Sequence, residues 1–164
     1  MTTLTIVLTG ACGGIGRALA VAFASAGHNL VLIGRNPDAL AALREGLERP
    51  RSHRYIVADL SSAEAITELC SDIADGSAID VLVNNAGTSS FGVFAETDDA
   101  VVEHMFQLNV LAPMRLCKGL MPLLLKSRNA AVINVGSGFG SIGFAGFTAY
   151  CASKFGLRGF TEAL

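Results

Sequence analysis

The sequence predicts an α/β fold, a doubly wound parallel sheet with helices on both faces. Three observations carry that prediction. Short β-branched runs alternate with helical stretches of about ten residues or more, the pattern of βαβ units joined by right-handed crossovers. The composition is 51% hydrophobic and 16% charged, as a sheet covered on both sides requires. A glycine-rich segment, TGACGGIG at Thr9–Gly16, stands between the first such run and the first helical stretch. At 164 residues the chain is expected to form a single domain over 1–164.

LTIVLT is the first strand, ending at Gly10, and GRALAVAFASAG is the first helix, closed near Gly27. NLVLIG is the second strand, and PDALAALREGLE is an amphipathic helix opened by Pro37. RYIVADLS is the third strand, after which Ser61 or Ser62 caps the helix AEAITELCSDIAD. IDVLVNNAG is the fourth. A long helix is expected over roughly 98–125, bent or restarted near Pro113, whose ring and missing N–H disrupt helical bonding. AAVINVGSG is the fifth strand, and a glycine-rich loop precedes a last helix that starts near Tyr150.

Charge and composition exclude several functions. The net charge is −2 with no basic cluster, which argues against nucleic acid or an anionic membrane as partner. The uncharged stretch between Arg128 and Lys154 carries five glycines and several polar residues, so a membrane span is rejected. MTTLTIVLTG enters a strand directly, without the pattern of a leader, so a cytoplasmic location is expected. Cys12, Cys70, Cys117 and Cys151 lack CxxC spacing and read as reduced thiols; the three histidines are dispersed, and no metal site is expected.

In a doubly wound sheet the ligand lies beyond the carboxyl ends of the strands. The polar and glycine residues cluster at those ends. Gly10, Gly14 and Gly16 precede a helix whose free N–H groups suit a pyrophosphate, although they would also serve a plain tight turn. The second strand ends in Gly34-Arg35 without an acid. An arginine there suits the 2′-phosphate of NADP(H), where NAD(H) would call for a carboxylate; a solvated surface arginine is the other reading. Asp59, followed by Leu60, either caps the next helix or accepts from an adenine amino group, or does both. The adjacent amides of Asn84–Gly87 point to hydrogen bonds with cofactor or neighbouring backbone. Asn109, inside an apolar helix, faces solvent or a buried network. Ser137 ends the fifth strand, thirteen residues before Tyr150. Tyr150 and Lys154 stand four apart, on one helix face. Either they pack through their apolar stems, or the cation lowers the phenol's pKa.

With those residues in view, the chain resembles the short-chain dehydrogenase/reductase family over its whole length. The matching residues are the T-G-x-x-x-G-I-G loop at Thr9–Gly16, Asp59, N-N-A-G at Asn84–Gly87, Asn109, Ser137 and Y-x-A-S-K at Tyr150–Lys154. The resemblance implies a Rossmann-type fold and hydride transfer between a nicotinamide cofactor and a carbonyl or secondary alcohol. It implies that Tyr150 is the general acid or base and that Lys154 lowers its pKa and holds the nicotinamide ribose. Ser137 would orient the substrate oxygen, and Asn109 would anchor a water that resupplies protons. Thr9, Gly10, Gly14, Ile15, Gly16, Arg35, Asp59, Leu60, Asn84, Ala86, Gly87, Tyr150 and Lys154 are the expected cofactor contacts, with NADP(H) preferred and NAD(H) possible. The expected partner is a small carbonyl or alcohol substrate of apolar character, with a homo-oligomer at full length. Phe139, Ile142, Phe144 and Phe147 suggest an apolar pocket, or equally core or subunit contacts.

Members of that family run to roughly 250 residues. This sequence reaches Leu164 within the Tyr–Lys helix, so the sixth and seventh strands and the substrate loop are expected to be missing. The competing expectation is therefore a catalytically silent dinucleotide-binding fragment or interaction module.

Overall fold

A computed structural model describes residues 2–74 and 78–164. The elements follow in the order β1 (Thr5–Thr9), α1 (Gly14–Ser25), β2 (Asn29–Gly34), α2 (Pro37–Glu45), β3 (Arg54–Val57), α3 (Ala63–Ala74) and β4 (Val81–Asn84). Then come α4 (Asp99–Phe106), a π turn (Gln107–Leu111), α5 (Ala112–Leu124), β5 (Ala131–Asn134) and α6 (Thr148–Ala163). The five strands form one parallel sheet in the order β3-β2-β1-β4-β5. Strand order reverses between β1 and β4, which opens a crevice there at the carboxyl edge.

Alternation along the strands divides the core in two. Val7, Val31, Ile33 and Leu82 point to the side covered by α3 and α5, where Ile66, Leu69, Leu116 and Leu120 meet them. Ile6, Leu8, Leu30, Leu32 and Val83 point to the side of α1 and α2, against Ala20, Ala24, Leu40 and Leu43. β1, β2 and β4 are buried almost throughout, whereas β5 at the sheet edge alternates exposed and half-buried, with Ile133 45% exposed.

Several local expectations are refined. The third, fourth and fifth strands are shorter than expected and stop at Val57, Asn84 and Asn134, so Ser137 lies beyond the fifth strand, at the cap of a short helical turn. Ser62 is the helix cap: its Oγ accepts from the Ala65 N–H (3.1 Å), while Asp59 folds back on Ser61 instead. Asp75, expected at the end of α3, lies outside the described residues. The long helix is interrupted ahead of Pro113, by the π turn that carries Asn109. Pro113 explains this, since it has no N–H to offer the Asn109 carbonyl four residues back.

Candidate active site

Beyond the carboxyl ends of β1, β2, β3 and β4 lies a cleft of about 720 Å³. Its floor is the β1–α1 turn. Gly10 sits at φ +63, where a side chain would be strained, and a Cβ there would come within 2.9 Å of the Ala86 Cα. A Cβ on Gly16 would run into the Gly10 carbonyl oxygen, so the turn and the helix start pack backbone on backbone. Gly13 at the N-cap of α1 supplies no side chain to the first N–H groups, and the first turn carries no acid. That helix end is open for an anion.

The turn is braced from β4. Thr9 Oγ1 donates to the Val83 carbonyl (3.3 Å) and accepts from the N–H groups of Asn85 (2.9 Å) and Ala86 (3.0 Å). Asn85 Nδ2 donates to the carbonyls of Thr9 (2.9 Å) and Gly10 (3.1 Å). Thr9 is thus buried beneath the cleft as a brace, and its side chain does not line the cleft. Asn84 is corrected in the same way. Its side chain turns into the core, where Nδ2 donates to Asn134 Oδ1 (2.8 Å) and contacts Cys117 Sγ (3.6 Å), leaving its own Oδ1 buried without a partner among the described residues. The neighbouring Asn85 is the amide on the cleft.

Gly10, Gly14, Ile15, Gly16, Arg35, Asp59, Leu60, Ala86 and Gly87 all line the cleft. Arg35 is exposed at its mouth and makes no hydrogen bond among the described residues. Asp59 Oδ1 accepts from the Ser61 N–H (3.0 Å) and hydroxyl (2.8 Å). Those two donors, then the charges of Arg35 and His104, hold its carboxyl below the usual aspartate range. His104 and Leu108 were missed. They come from α4 and the π turn, and only the rotation of that helix, which no local motif encodes, brings them to the wall. Cys12 also lines the cleft, and burial pushes its thiol pKa up, which makes it an inert wall group.

The Tyr–Lys end adjoins the cleft at Gly87. A Cβ on Gly87 would stand 3.0 Å from Asn109 Oδ1 and 3.8 Å from Lys154 Nζ. Lys154 is buried, and its ammonium lies 5.9 Å from the centroid of the Tyr150 ring. Nζ donates to the Val135 carbonyl (2.9 Å), and no carboxylate pairs with it among the described residues. Burial without a counter-ion pushes its pKa below the usual lysine value. Asn109 is fully engaged. Oδ1 accepts from the Thr88 N–H (2.8 Å), and Nδ2 donates to the Thr88 carbonyl (2.8 Å) and to Ser153 Oγ (3.0 Å). Ser153, wholly buried, passes the link on by donating to the Tyr150 carbonyl (2.8 Å). Ser137 Oγ accepts from the Phe139 N–H (3.2 Å), which leaves its own proton free, and the Phe139 ring meets Tyr150 edge-on at 6.4 Å.

A dinucleotide fits these residues. The uncapped start of α1 suits a pyrophosphate, and a buried ammonium with one acceptor for its three N–H donors has room for hydroxyl oxygens.

Comparison with known proteins agrees with this geometry. The chain is 32% identical over 166 residues to the NADPH-dependent pterin aldehyde reductase of Arabidopsis thaliana, covering 98% of this chain and 67% of that protein. A short-chain dehydrogenase structure from Streptomyces avermitilis superposes with a TM-score of 0.91 at 34% identity, over 99% of this chain and 59% of the other. One from Shigella flexneri, complexed with NADP, gives 0.93 at 31%, over 99% and 71%. The chain spans between 51% and 67% of the length of the first curated relatives. The family model for short chain dehydrogenases matches residues 4–164, and the chain belongs to that family.

Proposed function

We propose that this chain is the cofactor-binding and proton-transferring part of an NADP(H)-dependent oxidoreductase acting on a carbonyl or secondary alcohol. The observation that carries the reading is the buried, carboxylate-free Lys154 ammonium beside the Tyr150 ring, at the end of a cleft that starts with an uncapped helix. NADP-bound structures of relatives and the NADPH-dependent pterin aldehyde reductase support the cofactor and the carbonyl class.

The nicotinamide, when bound, supplies the hydride. The chain does the rest. The N–H groups at the start of α1 bind the pyrophosphate, and Gly10, Gly14, Ile15 and Gly16 let it approach. Arg35 takes the 2′-phosphate, Asp59 accepts from the adenine amino group, and Leu60, Ala86 and Gly87 flank the adenosine. Two N–H donors of Lys154 remain for the ribose hydroxyls, and its charge offsets the negative charge that develops on the phenol oxygen during reduction. Ser137 donates its hydroxyl proton to the substrate oxygen, and Tyr150 transfers its own proton there. The Asn109 carbonyl, denied a partner by Pro113, accepts from a water that returns the proton. Thr9 and Asn84 act beneath the cleft, on the strands that hold it. Met114 and Phe155, exposed on α5 and α6, are positions for a second copy in a homo-oligomer, and the enzyme works in the cytoplasm. No described helix is long and apolar enough to cross a membrane.

The test is cofactor choice in the protein at its natural length. NADPH should support carbonyl reduction better than NADH, and Gly34→Asp, which places a carboxylate beside Arg35, should reverse the order. Equal use of both by the parent protein would leave Arg35 a surface residue.

A further inference from the structure

Two loops beyond the cleft bring four phenylalanines to Tyr150. Phe139, Phe144 and Phe147 come from the β5–α6 loop and the start of α6, and Phe91 from the loop after β4. Ring centroids lie 5.2 Å apart for Phe139–Phe144, 5.1 Å for Phe139–Phe147 and 5.0 Å for Phe91–Phe147. The Phe147 and Phe139 rings then meet Tyr150 at 5.9 and 6.4 Å, tilted and edge-on. The wall is built rather than incidental. The Gly92 N–H donates to the Gly146 carbonyl (2.9 Å), tying the loops together, and the Phe91 ring occupies the space a Gly146 Cβ would need. Yet Phe91 remains 71% and Phe144 55% exposed, so fixed aromatic surface is left open beside the candidate proton donor.

We propose that this wall seats an aryl group, and that the substrate is an aromatic aldehyde or ketone. The inference rests on the carbonyl-reduction reading above and adds the substrate class. Because the rings run without interruption into Tyr150, a carbonyl within reach of its hydroxyl carries its substituent onto them. Aromatic faces and edges prefer another ring to an alkyl group of equal size, by a factor of about 2–12 per ring pair. In the step itself the carbonyl carbon takes a hydride from NADPH and the oxygen takes the Tyr150 proton. The carbonyl is reduced to the aryl alcohol, NADPH is oxidised to NADP⁺, and water returns the proton to Tyr150.

The experiment compares benzaldehyde with cyclohexanecarbaldehyde, close in size and shape, using NADPH and the protein at its natural length. Benzaldehyde should be favoured about tenfold in kcat/KM, although its conjugated carbonyl is the less electrophilic of the two. The double variant Phe91→Leu/Phe144→Leu keeps apolar bulk at two exposed positions and should bring that ratio to within about twofold. Equal kcat/KM in the parent, or a ratio unchanged in the variant, overturns the aryl assignment and leaves the reductase reading standing. Reduction of neither aldehyde overturns both.

Discussion

The glycine end of the cleft and the Tyr–Lys end that adjoins it are built from different materials. The glycine end is backbone against backbone: Gly10 against Ala86, Gly16 against the Gly10 carbonyl, with Thr9 and Asn85 bonding main-chain groups across β1 and β4. It lies over the middle of the sheet, above strands buried on both faces. The Tyr–Lys end is made of side chains. Asn109, Ser153 and Tyr150 hold one another through single hydrogen bonds, and Lys154 bonds the Val135 carbonyl, next to an edge strand that is half open. A ligand's phosphates need only directed N–H groups, which backbone supplies rigidly. Proton transfer needs groups of particular pKa, which only side chains supply, and they need support from their neighbours.

The largest effect that separates the two ends comes from Tyr150→Phe. It deletes one oxygen at the side-chain end and nothing at the glycine end. In the natural-length protein, turnover should fall by about 10²–10⁴, the usual contribution of a positioned acid, while NADPH affinity stays within about twofold. Steady-state kinetics with fluorescence titration of NADPH measure both, and a variant keeping most of the parental kcat would remove Tyr150 from the chemistry.

Gly16→Ala inverts the test. One methyl is driven into the Gly10 carbonyl, and because that contact is backbone no rotamer can relieve it. Overpacking of this kind costs about 1–3 kcal/mol. Nucleotide affinity and Tm should both fall, and saturating NADPH should restore most of kcat. If affinity and Tm match the parent, the turn is more pliant than its packing implies.

Where sequence was legible also follows this division. The glycine turn is a local event, so order and spacing alone place Gly10, Gly14, Ile15 and Gly16 on the cleft. Choosing between Asn84 and Asn85 required the strand's alternation, which points Asn84 at Cys117 and Asn134, inside the core. The break in the 98–125 helix was visible through Pro113, but its form as a π turn that carries Asn109 was not. His104, Leu108 and Phe91 reach the site by helix rotation and loop pairing between distant segments. No short-range pattern records either.

Ser153→Ala asks how far the side-chain end depends on a residue that touches no reacting atom. Among the described residues the hydroxyl is the only link from Asn109 to the Tyr150 backbone, and its loss leaves a buried amide N–H short of an acceptor, at about 1–3 kcal/mol. A positioning role predicts kcat lowered about tenfold, an altered pH profile of kcat and an unchanged KM for NADPH. A loss of Tm alone, with kcat and pH profile intact, would make Ser153 purely structural.

The smallest effect concerns what the side-chain end costs the fold. Lys154 has a depressed pKa because its ammonium is buried, with no carboxylate paired to it among the described residues. The folded chain therefore sheds this proton at a lower pH than the unfolded chain, where lysine titrates near 10.4. Between those two values the unfolded state binds more protons, so this group makes stability rise with pH; below both, the penalty for burying the charge is present in full. Lys154→Met removes the charge while keeping an unbranched side chain. It also strips the Val135 carbonyl of its donor, so the absolute Tm mixes two opposing terms. With both proteins made in a Tyr150→Phe background the pH trend does not, because the remaining titrations occur in both and cancel in the difference. The Tm of the variant relative to the parent should be highest near pH 7 and should decline toward pH 10, by about 2–4 °C for each 1 kcal/mol of penalty relieved. Paired thermal melts without cofactor measure it. A difference that stays flat across that range would mean that Lys154 carries no burial penalty, and that the charge at the Tyr–Lys end is already offset within the protein.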